Sequence, residues 1–162
     1  MKKVGIIMGS DSDLPIVKKA TAVLDELNIP YEAHIYSAHR TPVEVKDFTS
    51  NAKDNGFGVL IGFAGMAAHL AGAIAANTVL PVIGVPCKSS CFEGMDALLS
   101  TVQMPTGIPV ATVAVNGGAN AALLAAQILA SSDDDLYEKL ACKRHNDAEA
   151  VIAKDAKLKE ML

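Results

Sequence analysis

Five short apolar runs recur along the chain, and a stretch with helical spacing follows each of them. The first, residues 4–8, is continuous and β-prone, and Gly9-Ser10-Asp11-Ser12-Asp13 breaks it as a polar turn. Leu14, Val17, Leu24 and Leu27 then fall on one face of a helix, which Asn28-Ile29-Pro30 stops. Residues 31–36 alternate as a second strand. Thr41-Pro42 opens a second helix, with Thr as N-cap, Pro as first helical residue and Glu44 in the first turn; it ends near Asn55-Gly56. Residues 59–63 form a third strand, followed by a small-residue loop and an alanine-rich helix to Asn77. A fourth strand covers 82–85 and ends at Pro86. A helix over 94–104, a fifth strand over 109–115 and a helix over 116–130 complete the alternation.

Continuous apolar strands separated by helices indicate a parallel sheet covered on both faces. The expected fold is α/β: a three-layer, doubly wound, flavodoxin-like sandwich with a five-stranded parallel sheet and a C-terminal helical tail. Residues 1–132 are expected to make the α/β domain that carries any site. Residues 133–162 are a helical extension of it, charged and without a strand signal, with Leu136, Leu140, Val151 and Leu158 as its apolar side.

Composition narrows the range of partners. Aromatics are only 4% of the chain, so the helices must pack closely through alanine and glycine rather than around large rings. A net charge of -4 gives no electrostatic reason to expect nucleic acid or an anionic membrane. Cys87, Cys91 and Cys142 form no CxxC pair and no zinc set, which fits reduced thiols in a cytoplasmic protein. The apolar stretch 64–85 is interrupted by His69, Asn77, glycines and Pro81, so it reads as strand and helix rather than a membrane span. Asp11 and Asp13 likewise cut short any secretory signal after residues 4–8.

In a doubly wound fold the ligand lies beyond the carboxyl ends of the strands, where strand order reverses. A 2-1-3 order makes the first three loops neighbours there. In the first, Gly9 permits a sharp turn, Ser10 and Ser12 offer hydroxyls at a helix start, and Asp13 suits ribose hydroxyls. Ordinary helix capping explains the same residues, and the two roles are compatible. In the second, Ser37-Ala38-His39-Arg40, the guanidinium fits phosphate or carboxylate and the imidazole can exchange a proton near neutral pH. The third loop offers Ala64, Gly65 and Ala67, whose small side chains let a ligand approach the backbone closely. It is followed by His69 and Leu70, with His69 as a second acid-base group or a satisfied core histidine. No dinucleotide fingerprint or Walker loop is present, and His34 and His145 have no constellation around them.

Together MGSDSD, SAHRTP, AAHL and VQMPTGIPVATVAV resemble the PurE family of purine biosynthesis, over residues 3–131. The resemblance implies an enzyme that moves a carboxylate from the exocyclic nitrogen to the ring carbon of an aminoimidazole ribonucleotide. It also implies a homo-octamer that needs neither cofactor nor metal. Arg40 after His39 is similar to the mutase branch; the branch that fixes carbon dioxide directly typically has lysine there. By the same resemblance His39 is the general acid-base group, Ser10, Asp13 and Arg40 bind substrate, and His69 lines the site. Phe63 and Met66 stand where the family has glycine, Ala71 where it has proline, and the segment AVNGGANAA is shorter than usual. A flavodoxin-like FMN electron carrier would share the fold, but it would want aromatics around the flavin, and the chain has no Trp. A signalling receiver would need an aspartate and a lysine where Phe63 and Val115 stand.

Overall fold

The computed structural model describes residues 1–158, 161 and 162. Five parallel strands form the sheet: β1 (Lys3–Met8), β2 (Tyr31–Ile35), β3 (Phe57–Gly65), β4 (Val82–Cys87) and β5 (Ala111–Thr112). Their spatial order is β2-β1-β3-β4-β5, the flavodoxin-like arrangement the alternating pattern implies. Side chains alternate across the central strands. Val4, Ile6 and Met8 join Val59, Ile61 and Phe63 in one core, while Ile7 joins Leu60 and Val82 in the other.

Three helices cover the first core: α1 (Leu14–Glu26), α5 (Gly118–Ala130) and α6 (Asp134–Met161). The second is covered by α2 (Pro42–Ser50), α3 (Leu70–Ala75) and α4 (Met95–Val102). Alanine lets these layers approach closely. Ala121, Ala122, Ala125 and Ala126 are all fully buried along α5, and at Gly118 the backbone of α5 lies against the Ile16 carbonyl of α1. A side chain at Gly118 would collide with that oxygen.

Some boundaries differ from those the sequence predicts. Pro86 does not end β4, which pairs on through Cys87. In a parallel strand the N–H and C=O of one residue point to the same neighbour. The Pro86 carbonyl accepts from the Asn116 N–H on the β5 side, so the donor that proline lacks is missing only from the ladder to that edge strand. Accordingly β5 pairs over two residues, Ile83 with Ala111 and Gly84 with Thr112, instead of over 109–115. Helix α2 stops at Ser50 and turns carry the chain to Gly56.

Thr41 precedes α2 but makes no side-chain cap to it; its hydroxyl is turned back to residue 37 instead. The tail forms a single helix that Asp133 caps by accepting the Leu136 N–H at 3.1 Å. Leu136 is buried and Lys143 reaches Glu26 of α1 at 3.2 Å, whereas Val151, Ile152 and Leu158 are exposed. No described helix is long and apolar enough to cross a membrane.

Candidate active site

The carboxyl ends of β1 to β4 surround a cavity of about 650 Å³. Every candidate residue of the three loops lines it. Gly9, Ser10, Ser12 and Asp13 come from the loop after β1, and Ser37, Ala38, His39 and Arg40 from the loop after β2. Ala64, Gly65, Ala67, His69 and Leu70 come from β3 and the turn into α3.

Hydrogen bonds tie the loops together. The Gly9 N–H donates to the Phe63 carbonyl at 3.0 Å, joining the first loop to the end of β3. Ser10 is an N-cap: its Oγ accepts from the Ser12 N–H at 3.3 Å while remaining on the cavity wall. Capping and lining are therefore combined in one residue. In the second loop Thr41 Oγ1 accepts from the Ser37 N–H at 2.7 Å, and Ser37 Oγ accepts from the Arg40 N–H at 3.2 Å. That closed turn presents the side chains of His39 and Arg40. Arg40 Nη2 donates to the Gly9 carbonyl at 3.0 Å, leaving further guanidinium donors for an anion.

Across the cavity His39 Nε2 lies 2.7 Å from His69 Nδ1, with the rings nearly perpendicular at 88°. A contact that short needs one N–H and one lone pair, so the two imidazoles share a proton between them. His69 thus meets His39 directly instead of being satisfied within the core. The geometry is that of a group able to give up a proton and be resupplied from its neighbour.

Asp13 is only 7% exposed. Burial pushes its carboxyl above the usual range, opposed by the neighbouring Cys87 thiol and Ser10 backbone. Burial and the neighbouring Asp13 charge raise the Cys87 thiol in turn, so it stays protonated. Cys91 and Cys142 are exposed free thiols.

The departures in the third loop are absorbed in different ways. Phe63 is fully buried in the core beneath α1 and α5, so its ring leaves the cavity untouched. Met66 lines the cavity with φ of 55°, a left-handed conformation that costs a side-chain residue about 1–2 kcal/mol and that glycine adopts freely. Ala71 is buried against β3 and β4.

Met66, Lys88 and Ser89 also line the cavity and were not among the candidates. The loop after β4 leaves the same edge of the sheet as the other three, and its polar run Lys88-Ser89-Ser90 was the available signal. His34 does have surroundings, outside the cavity: it stacks on Tyr36 at 4.8 Å and meets Glu32 Oε1 at 2.8 Å.

The family model described as AIR carboxylase matches residues 3–150. A protein named N5-carboxyaminoimidazole ribonucleotide mutase from Haemophilus influenzae is 52% identical over 152 residues, covering 93% of this chain and 93% of that protein. One of the same name from Bacillus subtilis is 53% identical over 151 residues, covering 92% and 93%. Among solved structures, Treponema denticola PurE matches with a TM-score of 0.88 at 32% identity, over 96% of this chain and 98% of that one.

Proposed function

Because this chain belongs to the AIR carboxylase family, we propose that its cavity carries out the reaction named for its relatives: conversion of N5-carboxyaminoimidazole ribonucleotide into the 4-carboxy isomer. The protein is an isomerase of purine biosynthesis. The observation that carries the assignment of roles is the 2.7 Å contact of His39 with His69 above a cavity that Arg40 borders.

The reaction is an internal transfer in which atoms and electrons already balance. His39 gives a proton to the exocyclic nitrogen, and the N–C bond of the carbamate breaks, releasing carbon dioxide within the cavity. The ring carbon, made nucleophilic by the freed amine, forms the new C–C bond to it. The proton displaced from that carbon returns to His39, so the imidazole serves as acid and then as base. His69, hydrogen-bonded to His39, holds that imidazole in place for both proton transfers. Ala64 and Ala67 leave room for carbon dioxide and exclude water beside it. Arg40 and Ser10 bind the phosphate and Asp13 the ribose hydroxyls, so remote binding energy fixes the ring within reach of His39.

The working unit is a cytoplasmic homo-octamer, an assembly favoured by the large apolar side chains left exposed on α4 and α6. The assay that tests the activity supplies the N-carboxylated and the uncarboxylated nucleotides separately. Product from the former without added bicarbonate is expected. A strict bicarbonate requirement with the latter would replace the mutase reading by direct carboxylation.

A further inference from the structure

Arg40 and Lys88 are the two permanent cations among the described residues lining the cavity, and the mechanism above leaves Lys88 unused. We propose that Lys88 binds the substrate's carboxylate, exchanging its present partner Glu93 for that group when the nucleotide enters. The inference rests on the mutase reading.

The backbone of Lys88 is fixed while its side chain is only loosely held. Its N–H donates to Asn116 Oδ1 at 2.9 Å, and the Asn116 N–H donates in turn to the Pro86 carbonyl at 2.9 Å. Gly94, at φ 91°, lies so near the Lys88 backbone that a β-carbon on it would crowd the Lys88 α-carbon. A lysine anchored in this way projects from one defined point on the rim. Its ammonium pairs with Glu93, a carboxylate 71% exposed and itself on a left-handed residue of the turn into α4. Such a solvent-exposed pair holds its partners weakly and yields to a carboxylate presented in a less hydrated crevice.

Position selects which anionic end of the nucleotide Lys88 meets. Arg40 follows β2 and Lys88 follows β4, three strand spacings or about 14 Å apart along the sheet edge. With the phosphate on Arg40 and Ser10, the base extends toward β3, where His39 reaches His69. The carboxylate on that base then faces the loop after β4. Charge agrees with this placement, since phosphate and carboxylate enter a cavity whose lining already contains Asp13, and one guanidinium cannot serve both ends. The carboxylate is present before and after the transfer, so Lys88 contributes binding common to substrate and product and confers preference for carboxylated nucleotides.

The test is calorimetric titration with 4-carboxy-5-aminoimidazole ribonucleotide and with its uncarboxylated counterpart. In Lys88→Met the carboxylated ligand should bind about five- to ten-fold more weakly, with the uncarboxylated one unchanged, and Lys88→Arg should restore most of the difference. Equal loss for both ligands, or no loss for either, would overturn the proposal. Glu93→Gln removes the competing carboxylate and should widen the preference for the carboxylated ligand; an unchanged or narrowed preference would overturn the exchange of partners. Failure of wild-type protein to bind either nucleotide would instead overturn the mutase reading itself, independently of Lys88.

Discussion

Asp13 is placed where binding and stability pull in opposite directions. In the proposed role its carboxylate accepts ribose hydroxyls best when ionised, yet burial favours the protonated form. Since its pKa in the folded chain lies above the ordinary 3.8, the stability it contributes is complete below that value and is lost as pH rises through the raised one. Asn keeps an oxygen beside Cys87 and Ser10 and carries no charge to desolvate. Asp13→Asn should therefore be more stable than wild type at pH 7 by on the order of 1 kcal/mol, with the difference closing below pH 4, and it should bind nucleotide more weakly. Thermal melts across that range check the sign; a less stable variant at pH 7 would contradict it. For the histidines, His39→Asn should reduce turnover by about 10²–10⁴-fold. His69→Asn, which removes only the neighbour of the proposed acid-base group, should cost less. Equal losses in steady-state assays would mean that the imidazoles act as one inseparable unit.

Helix α1 sets the position of the Ser10–Asp13 turn, and α5 sets the position of α1. The contact between them at Gly118 is backbone against backbone, with no flexible side chain to yield. Gly118→Ala should separate the two helices, costing about 1–3 kcal/mol and weakening nucleotide binding although residue 118 is outside the cavity lining. Denaturant unfolding with parallel binding measurements tests both effects. Elements of this kind were legible in the sequence because hydrophobic period reports burial: the continuous runs of β1, β3 and β4 specify strands buried on both faces. The 2-1-3 order then brings the first three loops to one cavity. Edge strand β5 was less legible, since its extent depends on a donor missing from Pro86 in a different strand. The direct contact of His39 with His69 was also beyond periodicity, because two residues thirty apart meet only once the β2 and β3 loops are placed. Lys88 was hidden for another reason: a single lysine in a polar loop has the same local pattern whether it faces solvent or a cavity.

At the scale of the whole molecule, the surface carries a feature that a solitary subunit does not need. Met95, Leu99 and Val102 recur at helical spacing on the outer side of α4, and Phe92 stands just before it; all four are between 47% and 67% exposed. Their inner neighbours Ala97 and Thr101 already satisfy the core, so this second apolar face has no role in the fold of one subunit. Contiguous exposed apolar side chains of this size mark association surfaces, and the proposed octamer supplies the occupant, a second copy of the chain. Leu99→Glu would place a charge in such an interface while changing nothing that lines the cavity. The variant should keep its circular dichroism spectrum and shift to smaller species in light scattering, with a melting temperature lower than wild type at equal concentration. An assembly of unchanged mass would remove α4 from the interface. Because α4 begins one residue after Gly94, which packs on Lys88, loss of assembly should also loosen the cavity rim, lowering affinity for the carboxylated nucleotide along with the mass.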